Sequence, residues 1–196
     1  MAKLRRRCEA LNKLDLKSLR YTCENGTDLL LELPEDHIWL GGEESSKDGT
    51  IFNANIPTEE VFSAPQYNGV NGVVYSTKPL IYHGNTISDF SFTFKEGKIV
   101  EYTAKEGYEV LKELVETDEG SHYLGEVALV DHFSPISQSN QIFYETLFDE
   151  NASCHLAIGA SYPTCLKGSD GLSEEELKER GLNHSLTHVD FMIGHE

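Results

Sequence analysis

Positive charge is what this chain has least of: 16 Lys and Arg stand against 33 Asp and Glu in 196 residues, a formal net charge of −17. Such an excess repels nucleic-acid phosphates and anionic lipid surfaces, so neither is expected as a partner, whereas cations and a peptide's α-ammonium group are attracted. The basic cluster Lys3, Arg5, Arg6, Arg7 is too short to reverse this and is expected on the exposed face of a first helix. Cysteine is sparse as well. Cys8, Cys23, Cys154 and Cys165 form no C-x-x-C pair and no secreted disulfide framework, which points to reduced thiols in a cytoplasmic protein. No signal-peptide pattern opens the sequence, and no apolar run approaches the roughly 20 residues that span a bilayer, so no membrane partner is expected. Internal repeats and low-complexity tracts are missing too.

What is present reads as an α+β fold, with a β-rich part, barrel-like or built on a strongly curved antiparallel sheet, followed by a mixed α/β part. Leu4, Cys8, Leu11 and Leu14 recur at helical spacing and predict a helix over 2–14. Residues 19–23 and 28–33 form a hairpin around Asn25-Gly26, stopped by Pro34. A short strand is expected at 37–40 and a loop at 41–49. A meander follows over 72–76, 79–83, 87–94 and 99–103, with Phe90, Phe92 and Phe94 sharing one face. Helices are expected at 104–116 and 141–148, and a third is framed by Ser173, Glu176 and Gly181 as capping box and C-terminal glycine. A boundary near 118 would separate residues 1–118, the β-rich domain with its N-terminal helix, from 119–196, with a site at the interface.

Four segments carry candidate ligands: NIPTEEVFSAP with Glu59 and Glu60, LGEVALV with Glu126, DENASCHLAIGASYP with Glu150 and His155, and THVDFMIG with His188 and Asp190. Carboxylate oxygens mixed with imidazole nitrogens in apolar or turn-forming surroundings suit one or two divalent cations. Val189, Phe191 and Ile193 alternate along a strand, so His188 and Asp190 point the same way at spacing i, i+2. Glu126 opens an apolar strand, 127–130, on the face of Ala128 and Val130, where a carboxylate has to be paired, protonated or bound to metal. Gly125 before it leaves room for a close backbone approach. Glu150 is placed just beyond a helix and His155 at the start of a strand ending at Gly159. Each has a plainer alternative: any one Glu of so many is normally solvated, a lone His is more often structural, and Glu59-Glu60 could be the acidic start of a helix after Pro57.

The segments IPTEEVFSAP, GEVALVD, LFDENASCHLAIGASYP and LNHSLTHVDFMIG resemble, in order and spacing, the signature blocks of the aminopeptidase T, aminopeptidase S and PepS family of two-metal peptidases. The resemblance implies a metal-dependent aminopeptidase acting on peptide N-termini, and a homodimer with an enclosed cavity. Two divalent ions (Zn, Co or Mn) would be held by Glu60, Glu126, Glu150, His155, His188 and Asp190. Tyr162 would be the active-site tyrosine, donating to an oxyanion; the plainer alternative is a buried structural tyrosine before Pro163. Glu59 is a candidate general base or anchor for the substrate's ammonium group. Members of that family are longer, so the chain looks like a C-terminal fragment lacking an N-terminal domain and the extreme C-terminus, with weak or no activity alone and an exposed apolar patch. Rival readings are a catalytically silent structural or dimerisation fragment, or another two-metal hydrolase such as an amidase or phosphoesterase.

Overall fold

A computed structural model describes residues 2–194. Helix α1 (Ala2–Leu14) matches its predicted span and turns Leu4 inward. Arg5 and Arg6 stay exposed, but Lys3 and Arg7 converge on Asp131, so half of the basic cluster is used to fix the helix. Asn12 clamps the other end, accepting from Trp39 N at 2.8 Å and donating to Trp39 O at 3.0 Å.

The predicted hairpin forms as β1 (Ser18–Thr22) and β2 (Asp28–Glu32), in register from Ser18–Glu32 to Thr22–Asp28. Strands β3 (Glu44–Ser45) and β4 (Ile51–Phe52) pair within the stretch read as loop, and β5 (Glu60–Ser63) follows. Residues 37–40 make only isolated bridges, His37 to Leu166 and Leu40 to Phe62. The meander comprises β6 (Val70–Tyr75), β7 (Leu80–Tyr82), β8 (Asn85–Ile87), β9 (Ser91–Lys95) and β10 (Lys98–Thr103). The single strand expected over 87–94 is broken at Asp89, which takes φ +49°: β8 folds back on β7 while β9 joins β6. Helix α2 (Tyr108–Val115) starts later than expected, because Lys105 and Glu106 hydrogen-bond Ser88 O and Gly107 adopts φ +75°.

Beyond it lie β11 (Leu124–Val130), α3 (Pro135–Ser139), α4 (Thr146–Asp149), β12 (His155–Gly159), α5 (Glu174–Glu179) and β13 (His188–Met192). The expected helix over 141–148 is confined to α4, and α3 went unread. Helix α5 has its capping box, Ser173 Oγ accepting from Glu176 N and Glu176 Oε2 from Ser173 N.

Besides the two-stranded pairs β3-β4 and β7-β8, the described strands form two larger antiparallel sheets, a five-stranded one ordered β1-β2-β6-β9-β10 and a four-stranded one ordered β13-β12-β11-β5. The first is open, with β1 and β10 at its edges. One apolar core is shared by both, running from Leu29, Leu31, Val74 and Phe92 to Val127, Leu156 and Phe191. Phe191 packs at 5.1 Å from Phe92 and 5.9 Å from Phe90, so the predicted aromatic stripe is the contact between the sheets. Burying each such side chain contributes about 1.5–3 kcal/mol. β5, from before residue 118, hydrogen-bonds to β11, from after it, so a division there passes through one sheet and one core. Among the described residues no helix is long and apolar enough to cross a membrane.

Candidate metal centre

The four-stranded sheet has two chemically opposite faces. Val61, Val127, Leu156, Ile158, Val189 and Phe191 face the core. The alternate positions carry Glu60, Glu126, His155, His188 and Asp190, because successive side chains on a strand point opposite ways. Register aligns them: Asp190 pairs with Ala157, which pairs with Glu126, while His188 pairs with Gly159 and Glu60 with Val130. Ala157 and Gly159 between the functional residues add almost no bulk. The parity of β11 depends on an irregularity. Leu124 pairs with Ile158 and Glu126 with Ala157, so the register shifts at Gly125, and Leu124 goes to the core while Glu126 goes to the site. A Cβ on Gly125 would lie 2.2 Å from Ala160 O and 2.4 Å from Gly159 O, which is the close approach expected there.

The donor atoms converge as two overlapping triads. Glu60, Glu126 and His155 offer atoms all within 4.8 Å of one another, and so do Glu126, His188 and Asp190. His155 Nε2 stands 2.9 Å from Glu60 Oε2 and 3.5 Å from Glu126 Oε1; His188 Nε2 stands 3.7 Å from Glu126 Oε2 and 3.5 Å from Asp190 Oδ1. Glu126 thus turns one oxygen to each histidine. Opposite ring nitrogens are anchored, His155 Nδ1 3.1 Å from Ser153 O and His188 Nδ1 2.8 Å from Ala160 O. With a carbonyl as acceptor Nδ1 carries the proton in the neutral ring, leaving the Nε2 lone pair for the cluster. Glu150, on the 3₁₀ turn Glu150–Ala152 after α4, lines the same cavity of about 1270 Å³ but belongs to neither triad. Tyr162 is half-exposed on that cavity, its ring 4.9 Å from the His188 ring and 6.1 Å from that of Phe62. Glu59, expected as general base or ammonium anchor, does not line the cavity; its backbone N–H donates to Asn151 Oδ1 at 2.7 Å. Sequence reasoning passed over Asn151, the small spacers Ala157 and Gly159, and the carbonyls of Ser153 and Ala160, since none carries a chemically distinctive side chain.

The family described as thermophilic metalloprotease (M29) matches residues 1–196. The chain belongs to the M29 family. It is 57% identical over 191 residues to aminopeptidase AmpS of Bacillus subtilis, covering 97% of this chain and 46% of that protein. Aminopeptidase 2 of Geobacillus stearothermophilus is 54% identical over 192 residues, 98% of this chain and 46% of that one. The solved structure of wild-type AmpT from Thermus thermophilus superposes with a TM-score of 0.92 at 43% identity, over 98% of this chain and 47% of that chain. The chain spans about half the length of the curated relatives it matches.

A metalloprotease family implies a divalent metal, and the chemistry of the M29 cluster fits one. Among the described residues Glu60 Oε2, His155 Nε2 and Asp190 Oδ1 are buried without a hydrogen-bond partner; with the His155 proton on Nδ1, the 2.9 Å approach of the first two joins two acceptors. Buried polar atoms are ordinarily satisfied, so three orphans distributed over the two triads that share Glu126 indicate a ligand. Burial first, then the charges of Asp190 and Glu60, raise Glu126 despite His155, and burial with Asp190 pushes Glu150 up to about 9. Burial alone would discharge the histidines, but Glu126 and Glu60 hold His155 well above the usual imidazole range and Asp190 holds His188 at about 9. Asp190 is kept below the usual range, burial being outweighed by His188 and His155. A mixed oxygen and nitrogen donor set suits a divalent metal ion.

Proposed function

We propose that this chain carries the metal-binding catalytic region of an aminopeptidase that removes N-terminal residues from peptides. Glu60, Glu126, Glu150, His155, His188 and Asp190 would hold two divalent ions, with Zn, Co and Mn as candidates. The observation that carries the reading is the pair of donor triads sharing Glu126, the arrangement a two-ion site requires. When bound, such ions supply Lewis acidity toward a scissile carbonyl and toward water.

The chain's own side chains do the rest. Tyr162 is pushed up to about 12, by burial and then by the charges of Glu126 and Asp190, so its phenol is neutral at physiological pH and can donate to a developing oxyanion. Phe62 and Leu147 on the cavity wall present apolar surface to a substrate side chain. Glu43, Glu44 and Glu145, on the same wall, favour a cationic α-ammonium over a free carboxylate. Four free cysteines support a cytoplasmic setting. Exposed Phe133, Phe143, Tyr144 and Phe148 supply apolar surface for the homodimer that the family resemblance implies.

The test is metal content with activity. After dialysis against Zn²⁺, Co²⁺ or Mn²⁺, elemental analysis should find close to two equivalents per chain, and a full-length protein that contains this chain, loaded in the same way, should release N-terminal amino acids from unblocked but not N-acetylated peptides. Absence of bound metal after reconstitution would return the chain to the structural-module reading.

A further inference from the structure

Five of the six clustered side chains are held relative to one another by sheet hydrogen bonds, because Glu60, Glu126, His155, His188 and Asp190 all sit on paired strands. Glu150 alone does not. It begins a three-residue 3₁₀ turn after the four-residue helix α4, an element too short to hold its own orientation. The next residue, Asn151, is 1% exposed, and both ends of its amide are used. Its Oδ1 accepts from Glu59 N at 2.7 Å, and its Nδ2 donates to Leu147 O at 2.9 Å. The first bond reaches 92 positions back along the chain, to the residue before Glu60. Pairing between β5 and β11 begins at Glu60 with Val130, so the Glu59 N–H lies just outside the ladder and finds its partner in Asn151. The second bond fixes the turn to α4, whose last residue, Asp149, ties the helix to the segment before it, accepting from Phe143 N at 2.8 Å and Glu145 N at 3.1 Å.

We infer that Asn151 is a positioning residue that sets the placement of Glu150 against Glu60 and so the affinity of the centre for its ions. The inference rests on the metal-binding reading above. Asn151 is not itself a ligand, since both its polar atoms are already hydrogen-bonded to backbone. Nor does it merely satisfy buried backbone: the bond joins the residues flanking two members of the cluster, and sheet pairing does not make that connection.

Asn151→Ala removes both bonds. Titration of the apo-protein with Mn²⁺ or Zn²⁺ by calorimetry should show at least one equivalent bound ten-fold or more weakly than in the parent, and the visible absorption of the Co²⁺-loaded protein should change. Leu114→Ala, in the core on α2, serves as a control of comparable instability and should bind both equivalents like the parent. If Asn151→Ala does not fold, Asn151→Ser, whose hydroxyl is too short to reach Glu59, takes its place with the same expectation. Unchanged affinity and Co²⁺ spectrum in the folded variant would overturn the inference. A parent chain that binds no metal would instead overturn the metal reading, so the two failures are told apart.

Discussion

At the scale of single residues the centre turns on Glu126, the one side chain common to both triads. Glu126→Gln keeps shape and volume but removes the charge and half of the acceptor capacity, so both bound equivalents should weaken. His188→Ala should weaken chiefly the one shared with Asp190. Calorimetric titration of the two variants separates these outcomes, and equal loss in both would contradict the shared-ligand geometry. Tyr162 is a different case, since it touches the cavity without joining either triad. Tyr162→Phe should leave metal content unchanged and, placed in the full-length enzyme, lower turnover by about 10²–10³, the usual cost of one oxyanion donor; undiminished turnover would make it a packing residue. His188 and Asp190 were legible because period 2 in an apolar strand leaves two polar residues on one face. Glu126 was legible for the same reason. Asn151 was not, because its importance lies in bonds to backbone far along the chain, and nothing in an isolated asparagine announces that.

At the scale of elements, strand alternation and turn glycines located most strands, but where neighbouring segments compete for a backbone the local pattern loses. Alternation through Phe90, Phe92 and Phe94 is real, yet positive φ at Asp89 divides the run between two sheets. The helical pattern from 104 loses its first turn to the bridge between Ser88 and Glu106. β11 shows how one residue controls an element. Its register shift at Gly125 lets Leu124 and Glu126 face opposite sides, with backbone atoms of 159–160 packed where a Cβ would stand. Gly125→Ala therefore needs either a backbone shift or loss of the irregularity. Overpacking of this kind typically costs about 1–3 kcal/mol. The variant should melt several degrees below the parent and bind metal less tightly, because the strand that moves carries Glu126. A variant that melts lower but binds as before would show that the register of β11 does not set the carboxylate.

At the scale of the whole molecule, two features reach beyond any one strand. Asp118 joins the end of α2 to the approach to β13, accepting from Ser121 N, Ser185 Oγ and Leu186 N. Burial opposes its ionisation, but these bonds outweigh it and hold the carboxyl below the usual range. A carboxyl lowered by folding stabilises the fold above its unfolded value, and that contribution disappears as pH falls through the folded one. The melting temperature of Asp118→Asn should therefore lie a constant interval below the parent's above about pH 5, with the interval closing below about pH 4. The second feature is the shared core, which makes the number of cooperative units a prediction. A boundary near 118, read from the change from mostly β to mixed α/β elements, suggests two units that could melt apart. The structure has β5 hydrogen-bonded into the later sheet and Phe191 packed between Phe90 and Phe92 of the earlier one. Neither part can open without exposing the other's apolar face, and so unfolding should be a single transition. Trp39, the sole tryptophan, sits 1% exposed in this core, and its fluorescence should lose the native signal at the same denaturant concentration as the far-ultraviolet dichroism. Saturating metal should move both midpoints together, with a gain in stability of about 2.7 kcal/mol for one site at a hundred-fold excess over its dissociation constant. Separate midpoints for the two probes, or a metal-induced shift in only one, would restore the two-unit reading.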